Sequence, residues 1–129
     1  MRRILTILFC LSLLSLPMNA NAQVSGAAVS LECSETYIPT DPLAGGNESF
    51  ECTVSNPTTY NENISIQVTG DGLEVNAPAY LNVPAGENAT FNVSVAWDAG
   101  VDPDTVRTIT TTATVTTMDD VPPPNSASS

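Results

Sequence analysis

The residues of this chain that could do chemistry are few, and the missing types say as much as those present. The sequence has no histidine and no lysine, and Arg107 is its one arginine beyond position 3. Without an imidazole or an amine, no side chain titrates near neutral pH to serve as the usual general base, and no serine has a base to activate it. No glycine-rich phosphate loop and no zinc-ligand spacing occurs. The 14 acidic residues fall mostly in turn-rich stretches or on the polar side of alternating segments, where solvated carboxylates belong. These residue types argue against an enzyme.

Three constellations remain. Asp98, Asp102 and Asp104 gather around Gly100 in one loop. Hard oxygen ligands concentrated in a loop suit calcium, although the spacing is not that of a helix-loop-helix calcium site. The expectation is a solvated acidic turn with no required cofactor, and calcium is the one ion its chemistry would accept. Cys33 and Cys52 are the two cysteines left once Cys10, inside the apolar leader, is set aside. An even pair in a small exported chain reads as a disulfide. Asn47, Asn63, Asn88 and Asn92 each head an Asn-x-Ser/Thr acceptor for N-linked glycan, while Pro57 excludes Asn56. Asn63 and Asn92 fall on the outward side of alternating segments, where a glycan has room. Of the aromatics, Trp97 has core parity, and Tyr60, near a turn, reads as a surface residue.

The leader frames all of this. Met1, Arg2 and Arg3 precede a run of 13 almost wholly apolar residues at 4–16, broken by Pro17 and followed by Ala20-Asn21-Ala22. That order is a secretory signal with cleavage after Ala22. A spanning helix needs about 20 apolar residues, so a membrane anchor is disfavoured and no membrane insertion is expected after cleavage. The mature chain, 23–129, carries Arg107 against all 14 acids, a net charge of −13. Such a surface repels nucleic acid and anionic lipid. A cell-surface protein or a glycan remains as a partner.

The elements that must position these groups are strands. Apolar residues alternate with polar ones at Val29 to Cys33, Phe50 to Val54, Ile64 to Val68 and Ala89 to Trp97, with shorter apolar runs at 73–75 and 80–83. Residues 40–48 (TDPLAGGNE) read as a loop, as do Asn56-Pro57-Thr58-Thr59, Gly70-Asp71-Gly72 and Pro84-Ala85-Gly86-Glu87. The β-branched stretch 105–118 is the last long strand, and its change of parity predicts a bulge or a bend near Arg107. Thr108, Thr110, Thr112, Thr114 and Thr116 share one side of it, as an exposed strand face with good β-propensity. Residues 119–129 (DDVPPPNSASS) read as an extended, disordered tail. About seven short strands with regular turn signals make an all-β chain, an antiparallel sandwich. Its core should take in Cys33, Cys52 and Trp97.

The segments FECTVSNPTTYNENISIQV, YLNVPAGENATFNVSV and DAGVDPDTVRTITTTATV, set within the presumed fold at about 29–118, resemble the Ig-like accessory domains of archaeal and bacterial surface proteins, of the CARDB-like or glycosidase-associated kind. The resemblance implies an Ig-like sandwich over 23–118, following the signal at 1–22. It also implies a non-catalytic module with a structural, adhesive or spacer role, at the cell surface or outside the cell. The alternative it leaves open is a ligand-binding module, for carbohydrate or calcium, built on the end loops.

Overall fold

The computed structural model describes residues 26–34, 38, 43–102 and 106–129; the leader at 1–22 lies outside them. Among the described residues there are seven strands and no helix: β1 (Ser30–Cys33), β2 (Gly46–Ser55), β3 (Glu62–Gly70), β4 (Glu74–Asn76), β5 (Tyr80–Val83), β6 (Asn88–Trp97) and β7 (Ile109–Met118). They form two antiparallel sheets, ordered β1-β2-β6-β4 and β5-β3-β7. From β2 to β7 each successive strand lies in the opposite sheet, and the two sheets make an antiparallel β-sandwich.

Alternation explains the packing. Cys52, Val54, Phe91, Val93 and Val95 are buried from one sheet, and Ile64, Ile66, Val83, Ala113, Val115 and Met118 from the other. Each fully buried Val, Ile or Phe contributes about 1.5–3 kcal/mol relative to exposure. The core is therefore a slab of small β-branched side chains, which suits the strands that present them.

Two elements run beyond what alternation predicts. Gly46, Asn47 and Glu48 belong to β2 rather than to the preceding loop. Glycine is a weak strand former, but Trp97 stands opposite Gly46 and its ring lies against that Cα. A Cβ at Gly46 would meet the indole at 2.5 Å. The indole takes the place of the missing side chain. The expected bulge also lies elsewhere. β7 begins at Ile109, and the register shift falls where Asn63 faces Thr117 but Ile64 faces Val115. Thr116 is the extra residue, its hydroxyl donating to Asn63 O at 2.8 Å. That insertion lets Val115 and Met118 both face the core. It also ends the threonine row short of Thr116, and Thr108 precedes the strand.

The C-terminal segment is ordered, contrary to the expectation of a disordered tail. Asp119 and Asp120 hold φ of 44° and 65°. Met118 and Val121 exchange N–H···O bonds of 2.8 and 3.0 Å around them. This is a two-residue hairpin turn with both central residues left-handed, a conformation Asp tolerates better than most residues. Past the three prolines, which need no donor, the chain pairs with the free edge of β7. Ala113 N–H donates to Ser129 O (2.7 Å), Ser129 N–H to Ala113 O (2.9 Å) and Val115 N–H to Ala127 O (3.0 Å). The segment covers an edge that would otherwise be open.

Deleting residues 122–129 removes those three bonds, the two between Asn125 and Ala27 and the one from Leu31 N–H to Ser129 Oγ, and is expected to cost about 3 kcal/mol or more. The amides of Ala113 and Val115 should then exchange fast with solvent. Unchanged protection of both amides in the truncated chain would show that the segment does not dock.

Candidate functional site

The positions singled out from sequence are spread over the molecule. Cys33 and Cys52 form a disulfide with Cα atoms 4.0 Å apart. They are directly opposite each other in adjacent strands, and the flanking Ser34 N–H donates to Glu51 O at 2.9 Å. That flanking bond marks Cys33 and Cys52 as a non-hydrogen-bonded pair, where antiparallel strands bring side chains closest. The bridge therefore joins two strands of one sheet, and only Cys52 is buried. Asp98 and Asp102 are exposed, and Asp104 lies outside the described residues. No group of three or more His, Cys, Asp or Glu placed to hold a metal occurs among the described residues. Trp97 is half-buried over Gly46, and its indole N–H is buried without a partner. Tyr80, on edge strand β5, is 63% exposed against 38% for Tyr60, so Tyr80 is the more open ring.

The four sequons divide sharply. Asn47, Asn88 and Asn92 are exposed, whereas Asn63 is half-buried with its Oδ1 buried and unpartnered. Asn63 belongs to an oxygen-lined hollow of about 180 Å³ with Asn61, Asn82, Thr117, Asp119 and Asp120. Part of that lining is engaged with the backbone: Asp119 Oδ1 accepts from Asn61 N–H at 3.0 Å, and Asn61 Oδ1 from Ala85 N–H at 3.3 Å.

The most developed polar arrangement was not anticipated. Asn56, Thr58 and Glu62 are buried at one end of the sandwich. Asn56 Nδ2 donates to Tyr60 O (2.8 Å), Val83 O (2.9 Å) and Pro84 O (3.2 Å). Its Oδ1 accepts from Thr58 N–H (2.9 Å), which makes an Asx turn, and from the Thr58 hydroxyl (2.7 Å). Its own N–H donates to Glu87 O at 3.0 Å. Glu62 Oε1 accepts from Ala28 N–H at 3.3 Å and lies 3.5 Å from the Thr58 hydroxyl, while Oε2 has no partner. Burial pushes the Glu62 carboxyl above the ordinary carboxylate range, against the opposing pull of Ala28 N–H and the Thr58 hydroxyl. Next to Ala28, Ala27 is clasped by Asn125, which accepts from its N–H (2.9 Å) and donates to its carbonyl (3.0 Å). The sequence carried a signal for part of this. Glu62 has the parity of Ile64 and Ile66, an acid on an apolar face.

At the other end, Leu31, Ile38, Phe50, Ile109, Thr111 and Arg107 line a cleft of about 430 Å³ beside the disulfide. Arg107 Nη1 donates to Asp71 O at 2.7 Å, and its Nε is buried without a partner. This arrangement can hold an apolar group. It assembles no acid/base pair among the described residues.

No protein-family model matches the chain, and no curated protein matches it. Among solved structures it is similar to a FixG-related protein from Vibrio parahaemolyticus, at 16% identity and a TM-score of 0.49, covering 82% of this chain and 94% of that one.

Two substitutions test the buried arrangement. Asn56→Ala leaves the Val83 and Pro84 carbonyls and the Thr58 N–H without their partner, and is expected to cost about 3 kcal/mol or more in chemical denaturation. Glu62→Gln tests the raised carboxyl. A carboxyl with a raised folded-state pKa adds stability that is fully present below its unfolded value and is lost as pH rises through the folded one. The stability of Glu62→Gln relative to the parent should therefore climb with pH from the acid side upward. A pH-independent difference would show that Glu62 ionises as freely in the folded chain as in the unfolded one.

Proposed function

We propose that this chain is exported and serves outside the cytoplasm as a non-catalytic Ig-like module with a structural, adhesive or spacer role, of the kind carried by accessory domains of prokaryotic surface and secreted proteins. The observation that carries this reading is the Cys33–Cys52 bridge. It fastens a four-residue edge strand to its neighbour and closes a loop whose ends are 19 residues apart. Such a closure stabilises by about 3 kcal/mol in the chain-entropy model, and only where the compartment leaves it oxidised.

The distribution of polar groups supports the same reading. Glu62, the described carboxyl displaced upward from its ordinary range, is spent on tying the β2–β3 corner to the N-terminal segment. Glu32, Glu48, Glu51, Glu74 and Glu87 are exposed, as are Asp71, Asp98, Asp119 and Asp120. A dense coat of solvated carboxylates keeps a small module soluble and separate from its neighbours.

Fractionation of the native host with peptide mapping tests this. The expected result is a pool outside the cytoplasm that begins at Gln23, with the Cys33 and Cys52 peptides joined. A cytosolic pool that begins at Met1 with both thiols free would overturn it.

A further inference from the structure

We propose that the outer face of the β1-β2-β6-β4 sheet is a glycan-bearing face, modified at Asn47, Asn88 and Asn92, and that Asn63 stays bare. The inference rests on the export reading above, because N-linked transfer takes place on exported chains.

An Asn-x-Ser/Thr acceptor in a strand puts its asparagine and its hydroxyl on the same face, since side chains alternate with period two. The antiparallel register then decides which acceptors share a face. Asn47 stands opposite Ala96, and Asn92 opposite Glu51. Residues 47, 49 and 51 of β2 therefore share one face with residues 88, 90, 92, 94 and 96 of β6. Cys52, Val54, Phe91, Val93 and Val95 take the opposite, core-facing side. Three complete acceptors fall on this outer face: Asn47 with Ser49, Asn88 with Thr90, and Asn92 with Ser94. All six side chains are exposed.

The fourth acceptor differs in every respect. Asn63 and Ser65 lie in β3, the middle strand of the other sheet, between β5 and β7. Both are half-buried, and Asn63 Oδ1 is shut off from solvent.

Spacing and composition favour occupancy of all three sites on the outer face. Asn88 and Asn92 are four residues apart on one strand, roughly 13 Å. Ala96, opposite which Asn47 stands, is a further four residues along. Three glycans so placed do not collide at their roots. The residues between them are polar and exposed, namely Ser49, Glu51, Thr90 and Ser94. Beside Asn47 a shallow groove of about 460 Å³ runs between Glu74 and Asn76 of β4 and Ser94 and Ala96 of β6, leaving room for the first sugar.

The transfer is an ordinary displacement. The Asn Nδ2 forms a bond to the anomeric carbon of an oligosaccharide. The anomeric C–O bond to a lipid-diphosphate carrier breaks, the diphosphate leaves with its electron pair, and a base of the transferring enzyme takes the amide proton. The co-reactant is a lipid-linked oligosaccharide.

Site-resolved glycopeptide mapping of the exported protein, recovered from its native host, is the test. The expected result is glycan on Asn47, Asn88 and Asn92 and an unmodified Asn63 peptide. Ser49→Ala, Thr90→Ala and Ser94→Ala should each remove one of the three modifications, and Ser65→Ala should remove none. Each substitution keeps its asparagine, and intact mass reads the result on soluble protein. Bare peptides at the three positions, or glycan on Asn63, would overturn the proposal. A bare chain that is nonetheless cleaved after Ala22 and disulfide-linked would sink this inference and leave the export reading standing. A cytosolic chain would sink both.

Discussion

The side chain of Asn56 fixes one end of this sandwich. A β2–β3 corner must carry the chain from one sheet to the other, and it brings backbone groups into the interior that no ladder can satisfy. Asn56 meets three carbonyls with one amide, at Tyr60, Val83 and Pro84, and returns its oxygen to Thr58. The corner and the β5–β6 turn are thereby held to a single planar group. Through the Thr58 hydroxyl and Glu62 the arrangement extends to Ala28, and the next residue, Ala27, is gripped by Asn125. Four pieces of chain far apart in sequence meet at that end. Buried polar groups are stabilising only when they are satisfied. Among the side-chain oxygens of Asn56, Thr58 and Glu62, Glu62 Oε2 is the one left without a partner, and burial makes that carboxyl hold its proton more tightly.

With that end fixed, the remaining edges have separate solutions. The disulfide fastens β1 to β2. The C-terminal segment lies along β7 and reaches β1, where Leu31 N–H donates to Ser129 Oγ at 3.2 Å. β4 and β5 stay as edges, but they are three and four residues long, too short to template another strand well. The outer face of the four-stranded sheet is polar, with Asn47, Ser49, Glu51, Asn88, Thr90, Asn92 and Ser94 exposed.

Much of the fold was legible in the sequence, for a definite reason. β3 and β6 alternate cleanly because one face of each is buried against the other sheet, and β5 matched its apolar run residue for residue. What failed to show was conformation that depends on a distant partner. Gly46 is a strand residue because Trp97 covers it, 51 positions away in sequence. The Pro/Ser composition of the tail says nothing of the edge of β7 that receives it. The left-handed pair Asp119 and Asp120 is a turn signal far weaker than Asn-Gly would be. The disulfide was legible as a pair, but not as a bridge within one sheet. The polar end was half legible: Asn56-Pro57 reads as a turn, and nothing local says that the asparagine is buried.

Asn56 and Thr58 are held through five side-chain hydrogen bonds of the Asn56 amide, as firmly as the core strands. Native-state hydrogen exchange of the oxidised chain measures this directly. The Thr58 amide and the Asn56 side-chain NH₂ are predicted to exchange only when the whole molecule unfolds, with the same opening free energy as the Val93 and Val95 amides of β6. Exchange at the rate of an open surface turn would contradict it.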